Sequence, residues 1–354
     1  MSEVSRSSAQ PELNRRDATL LAHAATAGRG RRIAVVGDAI LDCYRTPDGR
    51  SRCFAGGAAV IASHLRQLGA EPVLITQLAA DGNAGQLLRI VDHLGLEVEA
   101  IPTAAAQPVR IRHVNPQGIV AAPRRELIEP PCPETIGRLA GAVAERRLQL
   151  DGVVFADFGH GTVSPELLDG LLPVLRPSVP VLTGDVSGPR ASLLAMRGFD
   201  LLTPTERELR RLSPSPSPRV SLDTLGQRLV RELELKHLLV TRDAAGCVRY
   251  GRNGTRRLLP SRIVPTASET TGRVVDEVGA GDALLAAATL GLCGKLGIAA
   301  SVQLGQLAAA AAITQLGNAP VGWNRLREAA APPSQTAPTH AVAVRAEAPA
   351  RPAA

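Results

Sequence analysis

Near the end of the chain, Gly279-Ala280-Gly281 runs into Asp282 and then into the apolar stretch 283–290. A turn of such small residues lets the backbone N–H groups of a helix N-terminus point outward together. With the helix dipole, that makes a place for an anion. Asp282 puts a carboxylate at its edge, and an anion cradle with a base beside it suits phosphoryl transfer to an alcohol. The same residues also fit a plainer part, with Gly-Ala-Gly capping one element and Asp282 N-capping the next. Spacing alone does not choose. Two more carboxylates, Asp38 and Asp42, follow the buried run 33–36, and Asp157 closes the run 152–156. Carboxylates at strand ends lie where open α/β sheets bind ligands; the alternative at Asp38 is a turn in which it bonds its own backbone. Gly56-Gly57 stands directly before a helical run, the same close-approach arrangement as at 279–281.

These residues are placed by a regular alternation of strands and helices. Apolar runs at 33–36, 73–77, 98–101, 152–156, 179–182, 201–202, 237–241 and 246–250 read as strands. Helical patterns cover 58–68, 84–94, 134–148, a stretch from Ser164, 222–233, 282–292 and the Ala-rich 298–316. The alternation predicts an α/β fold with a mostly parallel sheet, helices on both faces and right-handed crossovers. Two stretches differ in kind. Residues 43–55 carry turn chemistry at Pro47-Asp48-Gly49, and 107–123 reads as a hairpin turning at Asn115-Pro116-Gln117-Gly118. The hairpin could extend a small sheet over the site. Its Arg110 and Arg112 are expected to be solvated strand arginines, with a substrate phosphate as the alternative partner. Residues 1–30 are expected to form a tail with one helical piece around 12–26, and 329–354 to be disordered.

Composition narrows the classes of function. Apolar residues make up 45% of the 354 residues, enough for a large core, and charged residues 21%. The net charge is +7, but the arginines are scattered and aromatics are only 2%, so a basic patch with base stacking, and with it nucleic-acid binding, is not expected. The five cysteines form no C-x-x-C pair, so neither a disulfide framework nor a zinc site is expected, and a reduced, cytoplasmic setting fits. No apolar secretory segment and no membrane span is expected. Lys295 follows Gly294 but precedes Leu296, so there is no Walker A loop, and Gly159-x-Gly161 lacks the third glycine of a dinucleotide fingerprint.

Taken together, the motifs resemble the ribokinase-like (PfkB) carbohydrate kinases over about 31–328. Asp276-Glu277-Val278-Gly279-Ala280-Gly281-Asp282 matches that family's D-x-x-G-A-G-D signature, and Gly56-Gly57 its N-terminal glycine pair. Gly37-Asp38-x-x-Leu41-Asp42, Ala156-Asp157, Leu201-Leu202-Thr203-Pro204 and Leu239-Val240-Thr241-Arg242 look most like the kinase domain of the heptose-phosphate kinases. The resemblance implies a three-layer α/β/α sandwich with a small β lid from about 43–55 and 105–123. It implies ATP-dependent phosphorylation of a sugar or sugar-phosphate hydroxyl. Asp282 would be the general base and Gly279, Ala280 and Gly281 the anion hole. Asp38, Asp42, Gly56, Gly57 and Asp157 would line the sugar site. Thr205, Thr241, Gly246 and Gln306 would lie along the ATP groove. Glu208, matching the Glu of an N-x-x-E motif, would help organise Mg2+, and Asp276 would sit near a monovalent cation. Pairing of two copies through the lid is also implied.

The chain departs from the pattern in places. Val60 stands where the family has a sugar-contacting Asn, and Thr205 stands for the Asn of N-x-x-E. His160 and Pro108 stand where heptose kinases carry Lys, and Gly184-Asp185-Val186 replaces an Asp-Pro-Lys. The lost cations argue against an acceptor that already carries a phosphate. A degenerate, sugar- or nucleotide-binding regulatory member of the family is the alternative function.

Overall fold

The computed structural model describes residues 15–114, 132–187, 193–212, 220–262 and 276–331. The chain starts with helix α1 (Arg15–Gly28), strand β1 (Arg32–Gly37), the hairpin β2 (Ala39–Arg45) and β3 (Ser51–Gly57), and α2 (Ala58–Gln67). There follow β4 (Glu71–Ala79), α3 (Gly82–His93), β5 (Glu97–Thr103), β6 (Val109–His113), α4 (Pro133–Arg146), β7 (Gly152–Asp157), α5 (Pro165–Leu175) and β8 (Val181–Val186). The last part runs through β9 (Leu201–Leu202), α6 (Glu206–Arg211), α7 (Leu222–Glu232), β10 (His237–Thr241), β11 (Cys247–Gly251), β12 (Arg256–Leu259), α8 (Ala280–Cys293), α9 (Ile298–Ala312) and α10 (Trp323–Ala330).

Nine strands make one sheet in the order β12-β11-β10-β9-β8-β7-β1-β4-β5. All neighbours are parallel except β11, which runs against β10 and β12. The period-2 alternation of the strands explains the layers. Ile33 and Val35 of β1, Leu74 of β4 and Val154 of β7 join one apolar cluster with α1, α2, α8 and α9. Ala34, Val36, Val73, Ile75, Val153 and Phe155 face the opposite cluster with α4, α5 and α7. With helices on both faces, the strand ends are left as the open edge, as expected for an α/β sandwich. This is the three-layer fold with a mostly parallel sheet that the motifs imply.

A second sheet, β3-β2-β6, lies over that edge. Its hairpin turns at Pro47-Asp48-Gly49 as expected. β6 adds to β2 in parallel, so 109–113 is an edge strand of the lid, and the return strand expected at 119–122 falls outside the described residues. The pairing also corrects the cysteine reading: Cys43 and Cys53 face each other across β2 and β3 and form a disulfide. The partners are 10 residues apart, joined by a hairpin, which a search for C-x-x-C spacing does not detect. The expectation of a reduced setting therefore loses the support it drew from unpaired cysteines.

The tail expected over 1–30 is shorter than its composition suggests. Helix α1 buries Leu21 and Ala24 in the core, and its buried Asp17 takes hydrogen bonds from Arg262 and Gln303. The helical piece expected around 12–26 is thus docked on the core through Leu20, Leu21 and Ala24. Leu21→Ala should lower stability by about 2–4 kcal/mol in urea denaturation; an unchanged midpoint would mean that α1 does not contribute to the fold. At the other end, the Ala-rich helix stops at Ala312 rather than 316, because 313–318 forms a loop around Asp276. Among the described residues no helix is long and apolar enough to cross a membrane.

Candidate active site

The sheet's open edge gathers the N-terminus of α8, the ends of β1, β7, β8, β9 and β10, and the lid. Gly279 is the N-cap of α8 and adopts φ 81°, ψ 0°, a left-handed conformation that favours glycine. A Cβ on Gly281 would meet nothing within 4 Å, so the turn opens onto free space. Among the described residues neither the Gly281 nor the Asp282 amide has a backbone acceptor, as first-turn geometry dictates. These are unpaired donors aimed where an anion can sit.

Asp282 is half-buried beside them. Burial pushes its carboxyl up to about 7. The Arg110 and Arg112 guanidinium groups pull it down and the Asp42 carboxylate pushes it up, so the value is a balance struck inside the site. A carboxylate with that value exchanges a proton near neutral pH, as a general base must.

Asp42 lies on β2 and is 1% exposed. Arg112 Nε and Nη2 donate to its two oxygens at 3.2 and 3.4 Å, and Asn318 Nδ2 donates to Oδ2 at 2.7 Å. A Cβ on Gly56 would stand 2.6 Å from the same Oδ2, so the first glycine of the pair clears room for this carboxylate. Gly57 has φ 61° and lets the chain turn under Asp38 into α2. Asp42, Gly56 and Gly57 therefore meet at one place, facing the 279–282 turn.

Two tethers join the lid to that turn. One is the Asp42–Asn318 bond. The other runs from Tyr44 Oη to Asp276 Oδ2 at 2.7 Å. Asp276 also receives Val278 N on Oδ1 and Gly317 N on Oδ2, both at 3.0 Å. Burial, then the bond to Asp276, raises the Tyr44 phenol above its ordinary value, so it stays a donor. With three donors on it, Asp276, expected near a monovalent cation, anchors the loops around the turn.

Asp38 and Asp157, expected to line the sugar site, both bind backbone amides of one loop. The Asp38 carboxylate receives three backbone amides, Phe158 N, His160 N and Thr162 N, at 2.9, 3.0 and 2.8 Å. It holds the 157–162 loop in place. Asp157 receives Gly159 N at 2.8 Å, a turn bond within the same loop. All three carboxylates, Asp38, Asp42 and Asp157, are 1% exposed; Asp38 and Asp157 take backbone amides, Asp42 side chains.

The two lid arginines are not solvated. Arg112 is 6% exposed in its pair with Asp42. Arg110 is half-buried over the Phe158 ring, 5.2 Å from its centroid, in the field of Asp42, Asp282 and Asp38. Burial and the Arg110 charge keep His160 more acidic than an ordinary imidazole, against the pull of Asp38, so at neutral pH the positive charge here is Arg110. A strand pattern alone cannot show that its outward face is covered by another element.

Beyond the turn, the residues expected along the nucleotide groove are in part tied to one another. Thr205 N and Oγ1 both donate to Glu208 Oε2 at 2.8 Å, and Thr205 Oγ1 receives Glu208 N, a capping box that opens α6. Its T-x-x-E spacing was readable in the sequence. Thr205 bridges to Thr241, whose N–H bonds Pro204 O at 3.0 Å. Gly246 has φ 81°, and a Cβ there would strike the Leu259 carbonyl. Gln306 donates to Pro260 O at 2.9 Å and so braces the β12 end. Asp185, which sequence reading passed over, ends β8 and accepts from Thr203 Oγ1 at 3.0 Å. Burial, Glu208 and Asp282 raise its carboxyl well above the usual range, so three carboxyls crowd the space in front of Asp282. Among the described residues no three His, Cys, Asp or Glu side chains could hold a metal by themselves.

Residues 179–322 match the model of the pfkB family carbohydrate kinases. Two curated relatives, both named bifunctional protein HldE, are similar over much of the chain. That of Pelobacter propionicus is 26% identical over 306 residues, 81% of this chain and 60% of the relative. That of Trichlorobacter lovleyi is 28% identical over 308 residues, again 81% and 60%. The chain thus spans about 60% of the length of these relatives. Among solved structures, phosphofructokinase-2 from Escherichia coli in complex with substrates and products superposes with a TM-score of 0.66 at 17% identity, covering 85% of this chain and 98% of that one. Ribokinase of Arabidopsis thaliana complexed with ribose and ATP gives 0.63 at 16%, covering 85% and 99%. Those structural likenesses establish the ribokinase-like fold. With the family match over 179–322 and the relatives across four-fifths of the chain, they make it similar to the pfkB family carbohydrate kinases.

Proposed function

We propose that the chain transfers a phosphoryl group from ATP to a hydroxyl of a sugar or sugar phosphate, with Asp282 as general base. The observation that carries this is the place of the Asp282 carboxyl, at the N-terminus of α8 beside the Gly281 and Asp282 amides that have no backbone acceptor among the described residues, and in the field of Asp42. Asp42 grips an acceptor hydroxyl and orients the neighbouring one toward Asp282. Asp282 takes that hydroxyl's proton as its oxygen forms the new bond to the terminal phosphorus and the bond to the ADP oxygen breaks. The amides of the 279–281 turn hold the charge on the transferred group. Glu208 and the crowded Asp185 border the space where Mg2+ carried by ATP would neutralise phosphate charge; the raised Asp185 carboxyl fits a site that gains from a cation. Asp276 has at most one lone-pair position left for a monovalent cation, so its part is the anchoring of the turn. Arg110 restores a cation on the acceptor side, so acceptors bearing a phosphate belong in the screen despite Pro108 and His160.

An ADP-release assay over sugars and sugar phosphates with Mg2+ tests the reading. Acceptor-dependent ADP formation is expected. Tight ATP binding with no acceptor phosphorylated would favour the second reading, a regulatory sugar- or nucleotide-binding protein, to which the Thr205–Glu208 closure lends support.

The pH dependence has a definite sign. The base must be ionised, so kcat/KM for the acceptor should rise with pH through about 7 and level off above it. Arg110 pulls the Asp282 carboxyl down, so Arg110→Met should move this acid limb upward by about one pH unit. A limb that stays put would separate Arg110 from the base.

A further inference from the structure

We propose that Asn318 is an acceptor-recognition residue: it holds Asp42 through its amide nitrogen and offers its carbonyl oxygen to a second hydroxyl of a polyhydroxylated acceptor. The inference rests on the kinase reading and names the chemistry that the acceptor must carry.

Asn318 lies in the loop after α9, is 6% exposed, and stands between the lid and the 279–282 turn. Its Nδ2 donates to Asp42 Oδ2 at 2.7 Å. This bond fixes the amide's orientation, since turning it over would set its carbonyl oxygen against a carboxylate. Oδ1 therefore points the other way, toward the turn, where a Cβ on Gly279 would stand 2.7 Å from it. Among the described residues that buried oxygen has no donor. Buried carbonyl oxygens are rarely left so. In the same loop Gln315 Nε2 is also buried and has no partner among the described residues, so it does not serve as the donor. Arg112 is committed to Asp42.

The unmet acceptor thus lies between the carboxylate that grips one hydroxyl and the base that activates another. A hydroxyl both donates and accepts, so two adjacent hydroxyls can satisfy Asp42 and Asn318 together. A mono-alcohol can satisfy only one of them. Discrimination should be large, because a site built to bond a hydroxyl rejects the analogue lacking it.

The test compares wild type with Asn318→Leu, and with Asn318→Ala should the leucine variant not fold. The probe is the best acceptor from the ADP-release panel and its mono-deoxy analogues; if none is phosphorylated, it is the panel sugar that most raises the melting temperature with ADP present. The expected result is a rise of about tenfold or more in the acceptor's KM or Kd, with the ATP constant within about twofold. The wild type's preference for the parent sugar over one deoxy analogue should disappear in the variants. A purely structural role would lower the melting temperature and leave that preference intact, and an intact preference overturns the proposal. A wild type that phosphorylates nothing, yet loses sugar binding on substitution of Asn318, overturns the kinase reading alone. A wild type that neither phosphorylates nor binds any sugar of the panel overturns both.

Discussion

Asp282→Asn should lower turnover by roughly 10²–10⁴-fold while the ATP dissociation constant changes by less than about twofold. The asparagine keeps size and hydrogen bonding but cannot take a proton. The turn amides belong to the backbone and remain in place, so nucleotide binding survives. Because a carboxyl raised to about 7 costs the fold stability wherever the unfolded chain ionises it, the neutral amide should raise stability at neutral pH. Equilibrium binding of ATP and single-turnover phosphoryl transfer, measured on the same preparation, check both halves. Turnover within about threefold of wild type would remove Asp282 from the role of base.

The second large effect is at Asp42. Asp42→Ala leaves Arg112 buried without its carboxylate, and breaking one side of such a pair costs about 3–5 kcal/mol. The variant should therefore melt early and lose acceptor turnover, but that alone does not distinguish folding from function. The double variant Asp42→Ala/Arg112→Met removes the orphaned charge and fills the space with apolar volume, which should recover most of the stability. Acceptor turnover should remain lost in the double variant. Denaturant midpoints and ADP release together decide the matter: restored stability with restored turnover would make Asp42 a structural residue only.

Sequence and structure divide the molecule in an instructive way. The alternation of apolar runs at β1, β4, β7, β8 and β10 was legible because strands buried on both faces read as continuous apolar segments. The 279–282 turn was legible as a cradle or a cap, because both depend on residue size and spacing within one local segment. Helix α1 was expected as a helical piece around 12–26, but its docking was not legible, because only Leu20, Leu21 and small residues carry it. The helix α6 signal, Thr205 and Glu208 three apart, was present but read as a ligand motif rather than a cap.

Residue types and local spacing by themselves determined the sheet, the direction of its open edge and the turn that opens on it. Only the tertiary structure decided which partners the carboxylates take. Asp38 is occupied by amides from a loop more than a hundred residues away, Asp276 by Tyr44 across the lid, and Asp42 by Arg112 and Asn318. The physical reason is that backbone periodicity is a local property, whereas the partner of a buried polar group is set by whichever distant segment the fold brings to it. The Cys43–Cys53 pairing, the burial of Arg110 and the orphaned oxygen of Asn318 all belong to that second kind.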